Sequence, residues 1–479
     1  MILPDLPSTR AVGEYFAPTL RLGVTGLARS GKTVFITALV RNLVAGGRLP
    51  FFSPQAEGRL ISAHLEPQPD DAVPRFDYEA HLEALGREPP EWPQSTRQIS
   101  ELRVVLTFAP NRRLRRFLGV SRVNLDIVDY PGEWLLDLAM LDQSFEQWSE
   151  EALGLARMKV RAGAADPFLE FLAGLDRENT DDEQIALKGS DLFKAYLKGA
   201  RAGENGVATL GPGRFLMPGD LAGSPLLTFF PLDISDLQAV AKPSLKTMMA
   251  RRYESYRAHV VRPFFRDHFS RLDRQIVLVD VLSALNGGPD ALSDIERGLA
   301  SVLKAFRPGR NSWLLSFFKP RIDRLLFAAT KADHLHHTSH DRLEGILRLL
   351  TDRAIRRAAD AGADVRVMAL AALRATRETE ARQGKETLPC IAGVPLPGET
   401  IDGATFDGRR EAAIFPGDLP ADPRIALDPG SGWAGPGAAA FVRFRPPRLA
   451  PAGASGELPP APHIRLDRAL DFLIGDWLQ

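Results

Sequence analysis

One cysteine, Cys390, stands in a chain of 479 residues. That count excludes a disulfide within the chain and fits a reducing compartment. An excess of one charge is also missing. Lys and Arg number 60, Asp and Glu number 60, which argues against a protein whose main task is to coat nucleic acid. No uninterrupted apolar run is long enough to span a bilayer. Met1 to Arg10 carries Asp5 and two prolines, without a basic-then-apolar signal pattern. A cytoplasmic protein is the expectation. No internal repeat is visible. What remains is ordinary globular composition, 44% hydrophobic and 25% charged, in a length suited to two or three domains.

The stretch Gly26-Leu27-Ala28-Arg29-Ser30-Gly31-Lys32-Thr33 fits G-x-x-x-x-G-K-[ST] at every constrained position. Leu20 to Thr25 reads as a short buried strand before it. Val34 to Val44 reads as a helix after it, with Val34, Phe35, Ala38, Leu39 and Leu43 at helical spacing. Strand, glycine-rich turn and helix together make a phosphate cradle. Lys32 is expected on the β- and γ-phosphates, and the Thr33 hydroxyl on Mg²⁺.

Residues 46–95 lose periodicity and are rich in proline, with one short helix expected near Phe76 to Leu85. The segment through residue 96 reads as a long switch loop. Thr96 at its end is the candidate switch threonine for the Mg²⁺ shell, with Ser95 as competitor. Ile99 to Phe108 and Val123 to Asp129 read as an antiparallel pair around a basic turn. The second strand ends in Asp129-Tyr130-Pro131-Gly132-Glu133. Asp129 is the expected second Mg²⁺ anchor, and Gly132 offers an N–H to a γ-phosphate.

Trp134 to about 270 reads as a helical insertion. The helix around Arg251, Arg252, Arg257, Arg262, Arg266 and Arg271 is basic, either solvated or weakly attracted to an acidic membrane surface or partner. Gln275 to Leu282 and Asp323 to Ala329 are buried strands. The latter runs into Thr330-Lys331-Ala332-Asp333. Asp341-Arg342-Leu343-Glu344 has capping-box spacing and opens a helix to about Ala361. Asp364 to Leu370 is a further strand, followed by Ala371, Ala372 and Leu373. From residue 386 onward short strands, a Pro/Ala/Gly-rich loop and an amphipathic terminal helix are expected.

Alternating strands and helices predict an α/β fold, a mostly parallel sheet with helices on both faces, whose ligands sit at the carboxyl ends of the strands. The phosphate loop, Asp129, Asp333 and Ala371-Ala372 all fall at such ends, in the order used by guanine-nucleotide switches. Thr330-Lys331-Ala332-Asp333 fits [NT]-K-x-D. An Asp carboxylate accepts both N1–H and N2–H of guanine, and adenine has no such donor pair. Lys331 is expected to lay its stem over the base.

These segments, with Phe415-Pro416-Gly417-Asp418-Leu419-Pro420 and Phe444-Arg445-Pro446-Pro447, resemble the YcjX-like family of bacterial P-loop proteins over most of the chain. The resemblance implies a Ras-type nucleotide-binding core with a helical insertion, a GTP-binding and GTP-hydrolysing switch. That family has often been described as predicted ATPases. The expected division is residues 1–133 and 271–385 for the core, 134–270 for the insertion, and 386–479 for a C-terminal β-rich extension. A P-loop ATPase or small-molecule kinase and a non-catalytic nucleotide-gated adaptor stand as alternatives. Guanine nucleotide, Mg²⁺ and an unidentified protein activator are the expected partners, with no nucleic acid.

Glu133 occupies the place where Ras-like proteins carry Gln. It is read either as a catalyst or as a helix N-terminal acid suited to the dipole. Arg29 or the hairpin arginines Arg112, Arg113, Arg115 and Arg116 are candidates for transition-state charge. His334, His336, His337 and His340 cluster just after the Thr330–Asp333 loop. His336 and His340, four apart, have a spacing that suits zinc on a helix, but no cysteine is nearby and the segment precedes a capped helix, which weighs against a metal.

Overall fold

The computed structural model describes residues 17–479 apart from 27–28, 69, 95–97, 112–119, 159–160, 176–181, 203–210, 234–243, 305–321, 384, 402, 432, 434–440 and 452–457. Ser95, Thr96, Leu27, Ala28 and the four hairpin arginines therefore lie outside the described residues.

Seven strands form one sheet. They are β1 (Thr19–Gly26), β2 (Leu60–Glu66), β3 (Ser100–Phe108), β4 (Ser121–Asp129), β5 (Arg274–Val279), β6 (Arg324–Ala329) and β7 (Asp364–Ala369). Their spatial order is β2-β3-β4-β1-β5-β6-β7. β4, β1, β5, β6 and β7 run parallel. The β3–β4 hairpin is antiparallel, and β2 adds antiparallel to β3 at the edge.

β2 corrects the reading of residues 46–96 as one long loop. Leu60 to Glu66 is a strand, and a helix follows at Tyr78–Gly86. The strand escaped notice because it is an edge. None of its seven positions is buried: Leu60, Ala63, Leu65 and Glu66 are half-buried and the rest exposed, in no clean alternation, so no period-2 signal survives.

The period of two is clear in the centre. Leu326 and Ala328 face one core with Val24, Ile276 and Leu278. Leu325, Phe327 and Ala329 face the other with Val277 and Val279. Both faces are covered, as a parallel sheet requires. On the first face lie α1 (Lys32–Ala45) and the terminal helix Leu466–Ile474. Leu466, Leu470, Phe472 and Leu473 of that terminal helix are buried. Each such side chain contributes roughly 1.5–3 kcal/mol on burial.

The other face carries the insertion. Its core is aromatic. Trp148 stacks on Tyr253 at 5.2 Å and meets Phe193 and Phe229 edge-on. A buried ion pair, Arg161 to Asp294 at 2.7 Å, ties the insertion to helix Pro289–Lys304 of the core. The basic helix is less free than its sequence implies. Arg252 pairs with Glu183 and donates to Thr228 O, and Arg257 pairs with Glu254 and donates to Leu141 O. No helix among the described residues is long and apolar enough to cross a membrane.

After β7 the hairpin β8 (Arg377–Gln383) and β9 (Glu386–Gly393) pairs antiparallel across residue 386, and Ala412–Ile414 joins it. The expected capping box at Asp341 is absent. The helix starts at His340 without a side-chain cap, and Glu344 is instead bound by Arg465 and the N–H of Ala369.

Candidate functional site: one rim of the sheet

β1 runs directly into the glycine-rich turn. A Cβ on Gly26 would stand 2.3 Å from Ser30 Oγ and 2.4 Å from Leu278 O, so only glycine fits. Arg29 and Gly31 take φ of 62° and 87°. Those left-handed residues fold the turn back and let α1 begin at Lys32. The ammonium of Lys32 donates to Gly26 O at 2.9 Å, closing the turn on itself. Ser30 Oγ is buried with no hydrogen-bond partner among the described residues. Thr33 is buried in the first turn of α1, Val34 follows half-buried, and the side chain of Arg29 is exposed.

Asp129 closes β4 and is 1% exposed. It is in parallel register with Val24, two residues before Gly26. The carboxylate therefore arises beside the turn. Tyr130 next to it is buried, and its hydroxyl accepts from Gln275 Nε2 at 3.0 Å. Burial drives its pKa up.

Gly132 caps a short helix, α2 (Glu133–Asp137). The insertion holds α2 along its whole length. Arg201, in the last turn of helix Glu183–Ala202, pairs with Glu133 at 2.6 Å. The backbone of Gly213 lies against the carbonyl of Glu133, where a Cβ would come within 2.2 Å. The Arg214 guanidinium sits 3.3 Å from the centre of the Trp134 ring. Trp134 Nε1 donates to Met217 O. Asp137 accepts from Gly213 N and from Tyr256 OH, each at 2.6 Å. Burial pushes the Asp137 carboxyl up to about 6 against those two hydrogen bonds.

On the other side, β6 ends at Ala329 and runs straight into Thr330. The Thr330 N–H donates to Val279 O at 2.9 Å. Lys331 is left-handed, with φ of 60°, and its ammonium is bound to Asp280 Oδ2. Asp280 also accepts from Ser283 N and Oγ. Burial opposes ionisation of Asp280, but Lys331 and Ser283 hold its pKa below the ordinary value. Asp333 is buried; Oδ2 accepts from Ala375 N at 2.7 Å, and its carbonyl accepts from Thr376 Oγ1. A carboxylate oxygen has two acceptor positions, so Oδ2 keeps one. Ala332 N donates to Leu370 O, which stitches this loop to the end of β7. Ala371 is committed elsewhere: its N–H and C=O both pair with Ile464. Ala372 and Leu373 follow it.

The C-terminal extension reaches this rim. His334 is buried edge-on against Phe444, ring centres 5.1 Å apart. Phe444 O accepts from Trp92 Nε1 at 2.7 Å, so one residue of the extension touches both the Asp333 loop and the segment leading to Thr96.

A profile of the YcjX-like family, DUF463, matches residues 20–478. The chain belongs to the YcjX-like family. It is 40% identical over 470 residues to the Ras-like GTPase YcjX of Escherichia coli (strain K12), covering 96% of both chains. It is 36% identical over 485 residues to the Ras-like GTPase YcjX of Shewanella oneidensis, covering 96% of this chain and 95% of that one. The YcjX-like fold here is accordingly Ras-like, a mostly parallel P-loop sheet with helices on both faces.

Three site elements of this YcjX-like chain were missed in the sequence. Asp280 carried the signal that singled out Asp129, an acid ending an apolar strand. Arg201 and Asp137 carried none, since their roles come from tertiary packing of the insertion on α2.

Proposed function

We propose that the chain is a Mg²⁺-dependent GTP-binding switch that hydrolyses GTP slowly. One observation carries the reading. Parallel β4, β1, β5 and β6 bring Asp129, the Gly26–Thr33 turn and Asp333 to one rim, in adjacent order. From β1 to β6 is two strand spacings, about 10 Å.

The residues fit a nucleotide. The turn is too tight for any residue but glycine at Gly26, and Ser30 leaves a buried hydroxyl for a phosphate oxygen to meet. The N–H groups of Arg29 to Thr33 and the start of α1, through Val34, would form the cradle. Lys32 would exchange Gly26 O for phosphate oxygens. Thr33 and Asp129 would hold Mg²⁺, with Thr96 completing its shell. Bound Mg²⁺ supplies charge neutralisation on the β- and γ-phosphates.

Asp333, held in place by Ala375 and Thr376, would accept from guanine. Ala372 and Leu373 would border the base beside it, because Ala371 is spent on Ile464. Lys331 is fixed by Asp280, so its stem can flank the base without the head moving.

Glu133 is less suited to catalysis than to anchoring. Its carboxylate is occupied by Arg201, so it is a poor base for the attacking water, which supports slow turnover. Gly132 would sense the γ-phosphate, and α2 would pass that state to the insertion through its contacts with Arg201, Gly213, Arg214 and Tyr256. A non-catalytic adaptor is the second reading, and the same Glu133–Arg201 pair favours it.

Titration with fluorescent GTP and ATP analogues in Mg²⁺, followed by phosphate release, tests the proposal. A preference for GTP of roughly 10³-fold or more is expected. Turnover should be on the order of 10⁻³–10⁻² s⁻¹. Preference for ATP contradicts it; tight GTP binding with no phosphate release selects the adaptor.

A further inference from the structure

Downstream of the Asp333 loop the chain makes a single turn at His337–Ser339. The His336–His340 pair suggested by the spacing of four, and weakly supported in the sequence, is not formed there. His340 is buried and its Nε2 lies 2.8 Å from Ala332 O. A different trio gathers: His336, His337 and Glu378, whose ligand atoms all lie within 4.8 Å of one another.

The details have the look of a coordination set. His337 Nδ1 is 2.8 Å from Glu378 Oε2. His336 Nε2 is 3.8 Å from the same oxygen. Donors about 2.1 Å from a tetrahedral ion stand about 3.4 Å apart, between those two values. His336 is oriented from behind, with Nδ1 3.0 Å from Thr338 Oγ1, the second contact that fixes which ring nitrogen faces a metal. The N–H of His337 donates to Glu378 Oε1 at 3.2 Å, which fixes the carboxylate. Two imidazoles and one carboxylate favour Zn²⁺ or a neighbouring transition metal over Mg²⁺ or Ca²⁺.

We propose that His336, His337 and Glu378 form a Zn²⁺ site that joins the Asp333 loop to the C-terminal hairpin. Glu378 lies on β8, two residues past Thr376 and three past Ala375, which hold Asp333. The ion would therefore close a second link between two segments already tied at Asp333. Its effect is to stiffen the loop on the base side of the rim, at a distance from the Mg²⁺ ligands Thr33 and Asp129.

Tag-free full-length protein, stripped with chelator and kept in excess Mg²⁺ without nucleotide, is titrated with Zn²⁺ against a chromophoric chelator. Co²⁺ absorption serves as the spectroscopic probe. One equivalent bound at micromolar affinity or tighter is expected. His337→Ala and Glu378→Gln, both at exposed or half-exposed positions, should each weaken it roughly tenfold or more, and Thr338→Val by roughly 10–100-fold. Absence of stoichiometric binding overturns the proposal. So does binding unchanged in the double variant His337→Ala, Glu378→Gln. Neither outcome bears on GTP binding, which is read separately.

Discussion

Arg201 of the insertion forms an ion pair with Glu133, the residue directly after Gly132, at 2.6 Å. Glu133's side chain is 6% exposed and Arg201's 32%, so the pair is half-shielded from water. Loss of a general base costs roughly 10²–10⁴-fold in rate. An anchoring role predicts that Glu133→Gln lowers single-turnover GTP hydrolysis by less than about tenfold. Arg201→Ala should cost about 1–2 kcal/mol in stability, and most of that should vanish in a Glu133→Gln background. A large rate loss with no coupling between the two positions would return Glu133 to the role of catalyst.

Asp137 gives a pH signature. Its folded pKa, about 6, lies above the ordinary 3.8. Protonation therefore favours the fold. The contribution is complete below the unfolded pKa and is lost as pH rises through about 6. The loss amounts to about 3 kcal/mol. Urea unfolding of wild type and Asp137→Asn at pH 4 and pH 7 should show wild type losing ground relative to the variant by that order. A constant difference across the range contradicts this.

Gly26→Ala places a methyl against Leu278 O and Ser30 Oγ. Overpacking of this kind costs about 1–3 kcal/mol. The expected outcome is a lowered melting temperature together with loss of nucleotide protection in a thermal-shift assay. Gly31→Ala meets no neighbour within 4 Å but keeps a φ of +87°, so it should be milder. Equal tolerance at both positions would mean the turn is looser than described.

Lys331→Ala leaves Asp280, nearly buried, without its cation. A destabilisation of about 2–3 kcal/mol is expected. Asp280→Asn in the same background should recover much of it, because a neutral amide keeps contact with Ser283 without a buried charge. Unfolding curves of wild type and the two variants decide this; no recovery points to a role for Lys331 other than neutralising Asp280.

The rim was legible because each of its parts is local. Gly26–Thr33, Asp129 and Thr330–Asp333 each follow a run of buried apolar residues, and a strand end is where that run stops. The parallel order then follows from alternation of strand and helix. What stayed hidden is tertiary. Glu133 reads the same in sequence whether Arg201 reaches it or not. Ala371 gives no sign that Ile464, 93 residues on, takes both of its backbone groups. β2 lay hidden because an edge strand need not alternate. The spacing of His336 and His340, disfavoured in the sequence as a metal pair, shows the same limit. Spacing of four suits one helix, but His336 precedes the helix that begins at His340, so the two rings face different partners.

Guanine recognition by Asp333 is the claim on which the account turns. The direct test is nucleotide affinity of wild type and Asp333→Asn for GTP, XTP and ATP. Xanthine carries a carbonyl where guanine carries its N2 amine, so an asparagine amide can donate to it. The account predicts that the substitution cuts GTP affinity by roughly 10²-fold or more and raises XTP affinity, with ATP weak throughout. Unchanged GTP preference in Asp333→Asn, with no gain for XTP, would contradict it.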